Sequence, residues 1–255
     1  MIIIKTAEEI KILREGGKHL ATVLYKVKEK ITPGVSTKDL DIYAEKLIRE
    51  FGDTPAFLNY RPDGANTSFP ASLCVSVNDE VVHGIPSKHR ILKEGDIVSI
   101  DLGLKHKNLY TDMAITVSVG VVSEGNQKLI KVTEQALRVG IGAARRGNTV
   151  GDIGYAIENF VRPHGYGIVE VLAGHGVGRA IHEDPYIPNF GKKGEGAKLV
   201  PGMVIALEPM LNNGTKNVTV DDDGYTFRTA DGKNSAHFEH TILITENEAE
   251  ILTKM

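Results

Sequence analysis

Five side chains able to hold divalent metal ions, Asp101, Asp112, His175, Glu208 and Glu239, are spread over more than half of the chain. Four carboxylates and one imidazole make a poor mononuclear zinc set, because zinc sites lean on Cys and His. The same set suits a pair of divalent ions that share bridging carboxylates, an arrangement that activates water for hydrolysis. Taken singly, each aspartate also reads as a turn or ion-pair residue, and His175 as part of a flexible glycine loop. Whether the five share one site depends on the elements that carry them.

Each lies in or beside a stretch patterned as a strand. Asp101 follows the apolar run Ile97-Val98-Ser99-Ile100, and an acid ending a buried strand is costly unless it is paired or metal-bound. Asp112, in LYTDMAITVSV, is expected to begin the next strand after a short KHKN turn, so that one hairpin offers two carboxylates. Glu208 follows the apolar run of VIALEPML, and Glu239 opens the last strand in SAHFEHTILITE with His237 and His240 alongside. Gly174, Gly176 and Gly178 around His175 permit close backbone approach. A neutral imidazole there can ligate metal while a neighbour fixes its other nitrogen. His83 in NDEVVHGIPS and His182 in AIHEDPYIP can donate hydrogen bonds to a substrate or shuttle a proton near neutral pH. Satisfying buried backbone groups is the competing reading for both. Cys74 reads as a small apolar wall residue. The spacing from His175 to His182 is not HExxH, and neither a Ser-His-Asp motif nor a phosphate-cradling Gly loop with Lys is apparent.

An internal repeat supplies the positioning elements. GVSTKDLDIYAEKLIREFG (Gly34 to Gly52) aligns with GNTVGDIGYAIENFVRPHG (Gly147 to Gly165), setting Ser36 on Thr149, Asp39 on Asp152 and Gly52 on Gly165. Ser or Thr followed three residues later by Asp resembles a helix capping box, and the terminal Gly suits a helix end. A further helix precedes each, one capped by Thr6-Ala-Glu-Glu9 and running to Lys30, the other from Gly125 to Arg145, and the joint falls near SEGNQK (Ser123 to Lys128). Downstream, LKEGDIVSIDLGL aligns with LVPGMVIALEPML, placing Asp101 on Glu208; His83 and His182 also correspond. The expected architecture is one α+β domain over residues 1–255, with halves of about 1–122 and 123–255 sharing a central antiparallel sheet, helices on one face.

Bulk composition narrows the setting. The chain has 255 residues, 41% hydrophobic and 25% charged, as in ordinary globular proteins. A net charge of -3 offers no basic face for nucleic acid, and the lone Cys74 excludes an internal disulfide and a Cys-based zinc module. The start MIIIKTAEEIKILREGG is not a secretory signal, and no apolar run is long enough to span a membrane. A soluble, cytoplasmic protein is expected, without membrane or specific nucleic-acid partners.

The motifs SVNDEVVHGIP, GDIVSIDLGL, YTDMAITVSVG, GHGVGRAIHEDP, GMVIALEPML and FEHTILIT, in this order, resemble the type I methionine aminopeptidases in their short bacterial form. The resemblance covers nearly the whole chain. It implies the pseudo-twofold pita-bread (creatinase/aminopeptidase) fold and hydrolytic removal of the initiator methionine from nascent proteins whose second residue is small. It implies two divalent ions, of Co, Mn, Fe or Zn, with Asp112 and Glu239 bridging, Asp101 completing one site, and His175 and Glu208 the other. Glu208 would accept and return a proton, His182 would stabilise the carbonyl oxygen, and His83 would contact the scissile amide. The implied partners are the N-terminal peptide of nascent proteins and the ribosome that presents it, with the chain a monomer.

Several positions depart from the family pattern. Ile181 stands before His182 where bacterial relatives usually carry Phe, and Phe69 takes the place of a pocket Tyr. Tyr225 falls near the position of a pocket-edge Trp, in a chain with no Trp, and NYRPDGANTS (Asn59 to Ser68) looks lengthened. Phe69, Cys74, Ile181 and Tyr225 still compose an apolar pocket suited to an unbranched thioether. The nearest rival is a proline-specific pita-bread peptidase, whose members generally carry an N-terminal domain; a non-catalytic peptide binder on the same fold is another.

Overall fold

The structure, a computed structural model, describes residues 1–62 and 67–255. Of the segment Asn59 to Ser68, residues 63–66 thus lie outside the described residues. In chain order, the first half contributes α1 (Ala7–Lys28), α2 (Thr37–Glu50), β1 (Thr54–Pro55), β2 (Cys74–Val77), β3 (Glu80–Val82), β4 (Ile97–His106) and β5 (Leu109–Ser118). The second contributes α3 (Glu124–Ala143), α4 (Val150–Val161), a 3-10 turn (Arg162–His164), β6 (Gly167–Ile168), β7 (Gly174–Gly176), β8 (Glu183–Ile187) and β9 (Val204–Leu207). It ends in β10 (Met210–Asn212), β11 (Val218–Val220), β12 (Phe227–Thr229), β13 (Ser235–His237), β14 (Glu239–Leu243) and β15 (Glu250–Ile251).

Local chemistry starts the helices where the sequence places them. Thr6, Ser36 and Thr149 each form a full capping box with the acid three residues on, and Asp39 and Asp152 serve as well as Glu9. Ser123 caps α3 with its side chain, so SEGNQK is the first turn of a helix and the joint between halves lies just before it. The fourth helix stops at Val161 because Pro163 lacks the N–H to continue, and the chain turns on Gly165 at φ 74°.

The repeat is visible in backbone hydrogen bonds. Gly34 N–H donates to Leu92 O and Thr37 N–H to Arg90 O; their counterparts are Gly147 to Leu199 O and Val150 to Ala197 O. Gly95 and Gly202, which correspond, share a φ of 91°, a left-handed conformation that favours glycine. Among the described residues, the main sheet has the order β1-β4-β5-β14-β9-β7-β8, with β2 paired to β4 and β15 to β14. Its midpoint is the β5–β14 pair, where the halves meet antiparallel.

All four helices cover one face of this sheet. Alternating residues of the central strands, such as Leu102, Leu104, Met113, Ile205, Leu207 and Ile242, join the helices in one buried cluster. The opposite residues of the same strands are left to build the site. From the helix side Asp41 reaches the sheet edge: its Oδ1 accepts the backbone N–H groups of Ser72 and Leu73, fixing the entry to β2.

Candidate metal centre

Strand register brings the five ligands together. In the β4–β5 hairpin Asp101 lies opposite Ala114 and Gly103 opposite Asp112; Glu239 of β14 flanks Ala114 from the other side. Asp101, Ala114 and Glu239 therefore form a row across three strands. One step beyond the Leu207–His240 pair, Glu208 extends that row. Two residues along the strands runs a second row: Asp112, then Thr241, then Ala206, then His175. Because side chains alternate with period two, both rows point to the face away from the helices. Thr241 ties the two halves across the midline, its Oγ1 accepting Asp112 N–H at 2.8 Å and donating to Asp112 O at 2.8 Å.

Two expectations need correction. Asp101 does not end its strand, nor does Asp112 begin one: Lys107 and Asn108 adopt φ of 44° and 69° and make the hairpin turn, so both acids sit well inside ten-residue strands. The match of His83 to His182 stands on register. Cys74 lies opposite Asp101, and continuing the His175–Ala206 register by two residues sets Ala173 opposite Glu208. Counting nine residues on from Cys74 and from Ala173 reaches His83 and His182.

Electrostatics distinguishes this cluster from a set of ordinary acids. Asp101, Asp112 and Glu239 are buried, and the ligand atoms of Asp101, Asp112 and Glu239, and of His175, Glu208 and Glu239, lie within 4.8 Å of one another. Burial pushes all four carboxyls above the ordinary range, and at Asp112, Glu208 and Glu239 neighbouring carboxylates push them further. Asp101 Oδ1 and Glu239 Oε1 are buried without a hydrogen-bond partner. His175 Nδ1 lies 2.9 Å from Gly176 O, which can only accept; that nitrogen carries the proton, and Nε2 presents a lone pair 3.4 Å from Glu208 Oε1. Burial holds His175 down to about 3, so it stays neutral. A divalent cation reverses this penalty by favouring every ionised carboxylate at once. The residues fit such ions.

Beside the ligands opens a cavity of about 140 Å³. Phe69, Cys74 and Tyr225 line it, together with His83 and His182. Ile181 is buried behind that wall, in the same apolar cluster and packed over Gly103. Phe57, Tyr60 and Pro62 also line the cavity, and sequence reasoning missed them because the β1–β2 connection carries no strand or helix period. Tyr60 Oη is 2.8 Å from His182 Nδ1 and so fixes the ring of the more exposed histidine. His83 sits at φ 60°, a conformation rare outside glycine, with its ring edge-on to Phe227. His237 was noted only as a neighbour of Glu239. Buried, it places Nε2 3.8 Å from Glu208 and 4.0 Å from Glu239.

The chain is similar to known metallopeptidases. The profile of metallopeptidase family M24 matches residues 11–246. A methionine aminopeptidase of Clostridium perfringens is 47% identical over 253 residues, covering 99% of both chains. Methionine aminopeptidase 1 of Bacillus subtilis is 45% identical over the whole of both. Among solved structures, the methionine aminopeptidase of Thermotoga maritima superposes with a TM-score of 0.95 at 43% identity, covering both chains completely. On these matches the chain belongs to metallopeptidase family M24, and within it to the methionine aminopeptidases.

Proposed function

We propose that this protein removes the N-terminal methionine from proteins whose second residue is small, using two divalent ions of Mn, Fe, Co or Zn held by the two ligand rows. The observation that carries the reading is the convergence of five ligands from both halves at the wall of a half-apolar cavity. Asp112 and Glu239 would be shared between the ions, Asp101 would help to hold one, and His175 and Glu208 would hold the other. Among the described residues the site contains three such groups, and Asp112, His175 and Glu239 each belong to two of them. When bound, such ions supply a water of lowered pKa as nucleophile and polarise the peptide carbonyl.

The chain's own residues do the rest. Glu208 takes a proton from the attacking water and returns it to the leaving amine. His182, its ring oriented by Tyr60, donates to the carbonyl oxygen as negative charge develops there. His83 contacts the scissile amide across the cavity. The substrate's α-ammonium lies toward Asp101, which confines cleavage to the first bond. Phe69, Cys74 and Tyr225 receive the unbranched thioether, with Ile181 packing behind them.

The test uses metal-stripped protein restored with each ion separately. Methionine release from Met-Ala-Ser with no cleavage of an Xaa-Pro peptide supports the reading. Preference for the Xaa-Pro peptide moves the chain to proline-specific peptidases. Absence of bound ions together with absence of cleavage leaves a peptide-binding protein.

A further inference from the structure

A second group of ligating side chains lies on the opposite face of the sheet. Along β4 side chains alternate, so Asp101 and Gly103 face the cavity, whereas Leu102, Leu104 and His106 face the helices. There His106 meets His19 of α1 and Asp53, which precedes β1; one ligand atom from each lies within 4.8 Å of the others. Asp53 is 7% exposed and His106 6%. The two oxygens of the Asp53 carboxylate are divided between the imidazoles, with His19 Nδ1 2.8 Å from Oδ2 and His106 Nδ1 2.6 Å from Oδ1.

Both rings are held in place. His19 stacks on Phe51 at a centroid distance of 4.4 Å and meets His106 edge-on at 5.0 Å. His106 packs so closely on α1 that a Cβ at Gly16 would fall 2.9 Å from its own Cβ. The far nitrogen of His106, Nε2, is buried without a well-directed hydrogen bond, 3.2 Å from Glu15 Oε2. Lys107 holds that Glu15 oxygen at 2.8 Å.

We propose that His19, Asp53 and His106 form a second metal site, separate from the peptidase centre, which takes one zinc ion through the two Nδ1 atoms and an Asp53 oxygen. Two imidazoles and a carboxylate suit zinc, and a carboxylate behind the far nitrogen of a ligating histidine is the usual orienting partner. Glu15 stands in that place behind His106. Zinc ligands at about 2.0–2.1 Å stand roughly 3.3 Å apart in a tetrahedron, so small side-chain rotations close the site. Binding moves the proton of each neutral imidazole from Nδ1 to Nε2, which at His106 faces Glu15. The His19 side chain is 21% exposed, which gives the ion a path in and a water the fourth position. The ion ties α1 to the end of α2 and to the tip of the β4–β5 hairpin, a clamp remote from the chemistry.

Two measurements decide the proposal. In the first, metal-stripped full-length protein carrying Asp112→Asn and Glu239→Gln is dialysed against Zn²⁺. It retains one equivalent, and adding His19→Gln weakens that binding by about a hundredfold or more. In the second, crystals of the unaltered protein soaked in Zn²⁺ show anomalous density between His19 and His106, which depends on no variant folding. An unchanged zinc count after His19→Gln overturns the proposal. So does the absence of that density at a zinc concentration that fills the peptidase centre. Neither failure bears on methionine release, which is assayed separately.

Discussion

At the scale of residues, the proposed ligands and the substrate-facing groups do different work. His83→Ala and His182→Ala are expected to lower kcat by about 10²–10³-fold while bound metal stays unchanged. Kinetics combined with metal analysis checks this, and loss of the ions in either variant removes that histidine from its role. Glu208→Gln keeps the shape of the side chain but not the base, and should lower kcat by about 10²–10⁴-fold. The buried carboxyls also set a pH signature. Their raised pKa values mean that the metal-free fold holds protons the unfolded chain has released, so this contribution is full in acid and lost as pH rises through the folded values. The histidines act the other way: His83, held to about 4, and His175 and His237, held to about 3, stabilise the fold above their ordinary value near 6.5 and lose that as pH falls. Above about pH 6.5 the histidine effect is complete, so Tm of the stripped protein should fall as pH rises from there through about 7, where Asp101 ionises in the fold. Thermal melts with and without Mn²⁺ check this; a rise in Tm across that window without metal contradicts it.

At the scale of elements, the site is a property of strand register. Ala114 separates Asp101 from Glu239, and the branched side chain of Ala114→Leu would occupy the space the ions need. Metal affinity is expected to fall on the order of 10- to 100-fold with the fold retained, as read by calorimetric titration and circular dichroism. Much of this level was legible in the chain. The capping residues Ser36 and Thr149 and the alignment of Asp101 with Glu208 marked the helices and the equivalent strands, because caps and apolar runs are local signals. The two rows were not legible, since pairing β5 with β14 is a long-range choice that no local pattern encodes. Tyr60 escaped notice for a related reason: its contact with His182 joins segments far apart in sequence. Ile181 was readable as apolar, but only packing shows it behind the pocket wall.

At the scale of the whole molecule, each half supplies proposed ligands that the other does not. Asp101 and Asp112 come from the first; His175, Glu208 and Glu239 come from the second. Thr241→Val removes the pair of hydrogen bonds across the midline and leaves buried backbone groups of Asp112 unsatisfied, at a cost of about 2–4 kcal/mol. Chemical denaturation should record that loss as a shift of one cooperative transition; two separate transitions would show halves that fold independently. The most direct test of the central claim is methionine release from Met-Ala-Ser by metal-stripped protein during stepwise return of Mn²⁺. No release is expected before metal is added, with recovery as the ions return and no recovery in Glu239→Ala, whose carboxylate is proposed to serve both ions. Release that persists after complete removal of metal, or that recovers undiminished in Glu239→Ala, would contradict that claim.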